Sequence, residues 1–276
     1  MASLDRFFTQ QTLIACHDAG AAQMILDNTS EDLLRVCKLA LRGPAIKIFS
    51  GYDSVDATDP PTLTDVDNVV TGTGWQHTHE FQVLAEADQN RIRNIAVVDR
   101  ATNFELRFTR GGHTVAPSII LIPEYEISKL PKGSDKTNIE GFVDDSWRQQ
   151  IELIQRQARQ GCTLDSLFIG QPLVDSEGKA DFEIQYRFLR QWLDSQASGS
   201  INGFRPHPSD TTILPPDLRD RVVLSESAAT ACEDISRANA VIGIDSFLLD
   251  LSVEAGKKTF RCVESKNQLR IKECRR

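Results

Sequence analysis

Short apolar runs alternate with amphipathic stretches along this chain. In the first half, residues 12–16, 45–49, 68–70, 94–98 and 118–122 are brief runs dominated by apolar residues and bounded by polar or turn residues. Runs of that length and composition predict buried strands. Between them, residues 30–41 set Leu33, Leu34, Val36, Cys37 and Leu41 on one face behind Ser30 as a candidate N-cap, and residues 79–89 carry Phe81, Val83, Leu84 and Ala87. Both patterns predict helices, and a third helical pattern, with Met24, Ile25 and Leu26, follows Gly20. Such alternation predicts an open, parallel α/β sheet over residues 1 to about 125.

The pattern weakens between Pro123 and Trp147, where Pro131, Lys132, Gly133, Ser134 and Asp135 form a loop-like cluster. A domain boundary is expected there, dividing the chain into 1–130 and 131–276. A helix follows from Asp144 or Asp145 to Gln160, and then a second α/β series begins. Its strands are expected at 164–169, 222–224, 240–244 and 259–263, with a turn at 175–179 and helices at 180–193, 228–237 and 247–255. Phe182, Tyr186, Leu189 and Leu193 give the first of these helices its apolar face. The fold class expected is therefore α/β, with two Rossmann-like parallel-sheet domains facing a central cleft.

The 276 residues suit two such domains, and 40% hydrophobic with 25% charged content is ordinary for a globular protein. A net charge of −8 argues against binding nucleic acid by phosphate neutralisation. The six cysteines are scattered without CxxC pairs, which weighs against a zinc site or a disulfide framework. No apolar run reaches the roughly 20 residues that span a bilayer, and the N-terminal residues lack a signal-peptide pattern. A cytoplasmic protein is expected, with peripheral membrane association through the basic tail at 272–276 left open.

Ligands of open α/β sheets bind outside the carboxyl ends of the strands. Candidate chemistry is therefore expected there. In the second half, Phe204-Arg205-Pro206-His207-Pro208 sets a guanidinium fork and a histidine held between prolines beside such an edge, suited to an anionic group. Gly170 and Gln171 end one strand, Ser225, Glu226 and Ser227 a second, and Asp245 and Ser246 a third. The last two groups can present helix amides to a phosphate or serve as ordinary helix caps. Glu254 is either a sugar ligand or the exposed end of a helix.

In the first half, His17 and Asp18 stand where a general base can act, with Gly20 allowing close approach; a simple helix cap is the alternative for Asp18. Thr73, Gly74 and Trp75 are candidates for the other wall of a cleft. Asp99, with Arg100 and Arg107, reads as a strand-end acid in a salt-linked loop. His77 and His79 lack the partners a metal site needs, so no metal and no cofactor is expected.

Gly170-Gln171-Pro172, Arg205-Pro206-His207-Pro208, Asp245-Ser246-Phe247 and Glu254-Ala255-Gly256-Lys257 resemble the two-domain glycosyltransferases of GT-B architecture. More narrowly, they are similar to the bacterial surface-polysaccharide enzymes that carry an HP dipeptide: sialyltransferases, capsule Kdo transferases and CDP-glycerol-using polymerases. The resemblance covers residues 164 to 260. It implies that His207 contacts the donor phosphate and that Ser246 helps to hold it. The partners implied are a nucleotide-sugar donor and a glycan or lipid-linked acceptor, with Asp18, aided by His17, deprotonating the acceptor hydroxyl. A nucleotide-sugar hydrolase or 2-epimerase, and a non-catalytic binding relative, are the alternatives.

Overall fold

A computed structural model describes residues 3–53, 61–74, 77–132, 138–171, 173–174, 180–207, 210, 213–226, 229–265 and 268–274. The chain forms two compact units, Met1–Ser146 and Trp147–Arg276. Trp75, Pro172, Pro208, Ser227, the cluster at 133–135 and the turn at 175–179 lie outside the described residues.

The first unit holds six parallel strands: β1 (Thr12–Cys16), β2 (Lys38–Leu41), β3 (Asn68–Thr71), β4 (Arg93–Val97), β5 (Ile119–Pro123) and β6 (Ile139–Phe142). Their order is β2-β1-β3-β4-β5-β6. Every residue of β1 and β3 is buried, as a parallel sheet covered on both faces requires. Successive β1 side chains serve opposite layers. Ile14 and Cys16 pack with Ile25, Leu39 and Val70, whereas Leu13 and Ala15 pack with Ala40, Val69 and Val83.

The second unit holds β7 (Leu164–Ile169), β8 (Asn202–Arg205), β9 (Val223–Leu224), β10 (Ala238–Gly243), β11 (Lys258–Ser265) and β12 (Gln268–Cys274). The order is β9-β8-β7-β10-β11-β12, parallel as far as β11, with β12 antiparallel. Counted from β7 this is the 3-2-1-4-5-6 order of dinucleotide-binding sheets. Its core gathers Phe168, Tyr186, Leu189, Trp192, Phe204 and Ile242.

Several elements differ from the sequence expectation. The helix expected over 30–41 is Glu31–Val36 and gives way to β2, because Cys37 turns extended (φ −73°, ψ 148°) and Leu39, Ala40 and Leu41 are all buried in the sheet. Residues 45–49 were expected as a strand; they contain the short helix Ala45–Ile48, started by Pro44 in helical backbone. β6 and β8 fall in stretches expected to be loops. β6 pairs with β5 and so carries the first unit on to Ser146, beyond the expected change of domain at 130/131. Most of the basic tail is strand: Lys272 lies in β12, opposite Arg261. Among the described residues no helix is long and apolar enough to cross a membrane.

Candidate functional site

Each sheet has one place where the strand order reverses, and α/β sheets bind ligands there. In the first unit it lies between β1 and β3, in the second between β7 and β10. His17 and Asp18 follow β1, and Gly20 sits in the first turn of the helix Ala19–Asn28; the loop after β3 contains Thr73 and Gly74. Gly170 and Gln171 follow β7, and Asp245 and Ser246 follow β10. Of the expected residues that are described, these nine stand at a switch point of their own unit.

At the first switch point the organising group is Glu80, which is 1% exposed. Its Oε1 accepts the backbone N–H groups of His17 (2.7 Å) and Asp18 (3.1 Å), fixing the turn between β1 and the helix Ala19–Asn28. Asp18 occupies the N-cap position of that helix, yet its carboxylate makes no cap hydrogen bond. Glu80 escaped the sequence reading because an acid in the first turn of a helix, here His79–Gln89, is an ordinary complement to the helix dipole. Burial, then the Glu80 charge, pushes the neighbouring Cys16 thiol up.

A second charged layer holds the β3 loop. Arg107, 5% exposed, pairs through Nη1 with Asp99 Oδ1 (2.9 Å) and donates from the same nitrogen to Thr73 O (2.9 Å) and Thr73 Oγ1 (3.1 Å). Thr73 Oγ1 in turn donates to Val97 O (3.0 Å). The Asp99 carboxylate packs on Gly20. The salt-linked loop expected around Asp99 is thus an ion pair of buried Arg107 with partly buried Asp99 next to the switch point.

The His17 ring stacks on His77 (centroids 3.6 Å apart, planes at 26°) and closes one side of a cavity of about 390 Å³ lined also by Arg42, Thr78, His79 and Gln82. Burial first, then the His77 ring, lowers the His17 pKa, against the opposing pull of Glu80 and Asp18. The imidazole is thereby biased toward the neutral, proton-accepting form. On its other face His17 meets Gly43, at φ +49°, where an added Cβ would lie 2.6 Å from His17 Cε1. Gly43→Ala is expected to cost about 1–3 kcal/mol through overpacking and backbone strain and to shift the His17 and His77 ring resonances in NMR. Unchanged resonances would show that His17 does not pack there.

At the second switch point, Gly170 N donates to Arg205 O (2.8 Å), and Asp245 N donates to Gln171 Oε1 (3.2 Å), tying β7 to the neighbouring strand ends. Ser246 caps the helix Phe247–Glu254 by accepting from Leu248 N (3.3 Å). His207 is half-buried and follows β8, and burial lowers its pKa against the pull of Asp210. Its carbonyl accepts from Asp210 N (2.8 Å). The Asp210 carboxylate is gripped by Gln185 Nε2 (2.7 Å) and Tyr186 OH (2.9 Å).

Four other expected ligands stand elsewhere. Arg205 Nη1 pairs with Asp234, which is 3% exposed, and donates to Ser225 Oγ and Ala229 O. Ser225 also donates to Asp234. This arginine and serine fix the loop after β9. Glu226 is exposed in that loop. Glu254 ends the helix that Ser246 begins, roughly 12 Å away at 1.5 Å per residue. Its neighbours Ala255 and Gly256 line a separate hollow of about 590 Å³ with Cys162 and Lys257. Among the described residues no set of three or more His, Cys, Asp or Glu side chains gathers to hold a metal.

No protein-family model matches the chain, and no curated protein matches its sequence. Among solved structures, it is similar to the UDP-GlcNAc 2-epimerase from Neisseria meningitidis bound to UDP-GlcNAc. The TM-score is 0.53 at 11% identity, over 90% of this chain and 81% of that one. At that identity the likeness speaks for architecture alone: the fold is a mixed α/β, two-domain Rossmann-like arrangement of the GT-B type.

Proposed function

We propose that this protein is a glycosyltransferase that takes a sugar from a nucleotide-activated donor and passes it to a glycan or related acceptor. The observation that carries this reading is the 3-2-1-4-5-6 sheet of the second unit, with His207, Gln171 and the Ser246-capped helix start grouped at its carboxyl edge. In this reading the His207 ring and the first amides of the helix Phe247–Glu254 bind the nucleotide phosphate and stabilise the charge that develops as it leaves. Asp18, whose carboxylate makes no helix-cap bond, takes the proton of the acceptor hydroxyl, and neutral His17 is its neighbour at the same turn.

The likeness to an epimerase supports a second reading, in which the nucleotide sugar is rearranged or hydrolysed with no acceptor. Asp18, at the turn that Glu80 fixes, is placed to take part in proton transfer in either case.

Stability in the presence of CMP, CDP, UDP and GDP is the first test. A rise in melting temperature with one of them, lost in His207→Ala, is expected. Incubation with the matching nucleotide sugar then separates the readings. Turnover that requires an acceptor supports transfer; an epimer or free sugar formed at an acceptor-independent rate supports the second reading. Absence of binding to every nucleotide would overturn both.

A further inference from the structure

Gly72 and Gly74, just past the end of β3, both lie against the carboxylate of Glu80. A Cβ added at Gly72 would stand 3.3 Å from Glu80 Oε1, and one added at Gly74 would stand 3.5 Å from each carboxylate oxygen. The Cβ at Gly74 would also meet Asp18 Cβ at 3.2 Å. Glycine at these two positions leaves the room through which the Glu80 side chain passes from its helix to the turn after β1, close against Asp18.

At that turn a single oxygen accepts both amides, His17 N at 2.7 Å and Asp18 N at 3.1 Å. The other oxygen, Oε2, is buried with no hydrogen-bond partner among the described residues. Taking a carboxylate out of water is costly, and the two charge-assisted hydrogen bonds to the turn are what offset it here. An aspartate at an N-cap ordinarily steadies the helix start with its own carboxylate. Asp18 makes no such bond. The turn is held through its main chain by Glu80, and the Asp18 carboxylate is left for other work.

We infer that Glu80 is the positioning residue of the proposed base: its two hydrogen bonds set the main chain of His17 and Asp18 so that the Asp18 carboxylate meets the acceptor hydroxyl, and Gly72 and Gly74 give it passage. This rests on the reading of Asp18 as the base and adds the group that places it. Glu80 acts by its reach, through Asp18, and takes no proton from the substrate itself.

Two substitutions separate reach from charge. Glu80→Gln keeps a carbonyl oxygen at the same reach, able to accept both amides, and removes the charge. Glu80→Asp keeps the charge but is shorter by one C–C bond, about 1.5 Å, which puts the pair of amides out of hydrogen-bond range. In Glu80→Asp, kcat for the nucleotide sugar is expected to fall on the order of 100-fold, the cost of misplacing a reacting group by about 1 Å, with KM and nucleotide affinity unchanged. Glu80→Gln is expected to turn over at least tenfold faster than Glu80→Asp. Hydrogen exchange of the His17 and Asp18 amides, followed by NMR, is expected to be slow in the wild type and in Glu80→Gln and fast in Glu80→Asp, which reads the grip on the turn independently of activity. Equal kcat in the two variants would overturn the inference, because reach would then not be what matters. Protected amides in Glu80→Asp would overturn it as well, by showing that other contacts hold the turn. Asp18→Asn, measured alongside, keeps the two claims apart. Normal turnover in Asp18→Asn sinks the base assignment and this inference with it, whereas an inactive Asp18→Asn beside a fully active Glu80→Asp sinks this inference alone.

Discussion

Arg107→Ala is expected to destabilise the first unit by about 3–5 kcal/mol, the range for removing one partner of a buried ion pair. Arg107 is 5% exposed, and Asp99 is 18% exposed at its side chain, so the carboxylate left behind is poorly hydrated. The substitution also leaves Thr73 O and Thr102 O without the donors they now have. Urea unfolding should show the effect as a lowered midpoint for one transition. The chain has two compact units, and if they unfold separately the transition of the second unit should stay in place. The double variant Asp99→Ala with Arg107→Ala is expected to recover part of the loss, since it removes the stranded charge. A single-variant loss below about 1 kcal/mol, typical of exposed pairs, would mean that water reaches Asp99 and that the Thr73 loop is held by other contacts.

How much of this was legible in the sequence depends on the distance over which each feature is specified. β1, β3, β7 and β10 were legible because a buried parallel strand is a short apolar run, and His17, Asp18, Gly170, Asp245 and Ser246 were legible because they terminate such runs. β2 was not. Lys38–Leu41 follows a helix with no glycine or proline between, and its apolar residues continue the spacing of Leu33 and Leu34, so periodicity alone read one long helix. β8 was hidden by glycine and asparagine: an added Cβ at Gly203 would lie 2.8 Å from Leu164 Cδ1, and buried Asn202 accepts a hydrogen bond from Ser166. The roles of Glu80 and Arg205 come from contacts 62 to 63 and 20 to 29 residues away along the chain, respectively. A local reading passed over the first and took the second as a cation suited to an anionic group. Only the fold brings Asp234 to Arg205 and two backbone N–H groups to Glu80.

Gly170→Ala is expected to weaken nucleotide binding at the second switch point at least tenfold while leaving the protein folded. A Cβ at this position would lie 2.8 Å from Gln185 Oε1 and 3.1 Å from both Arg205 O and His207 N. Two of these neighbours are backbone, and the third belongs to a side chain with no solvent exposure whose amide holds Asp210. None can yield alone. The strain therefore falls on the segment Arg205-Pro206-His207, which runs out past the end of β8, and it moves the imidazole off its present position. Overpacking of this kind costs about 1–3 kcal/mol in stability, which a domain of this size tolerates. A displacement of about 1 Å at a phosphate-binding histidine can cost on the order of 100-fold in function. Calorimetry with the nucleotide found by the stability screen should show at least a tenfold loss of affinity in Gly170→Ala, comparable to that in His207→Ala. The two changes combined should do little more than either alone, because both act through the same ring. Full additivity would mean that Gly170 affects binding by another route, and wild-type affinity in Gly170→Ala would place the nucleotide away from the β7 edge.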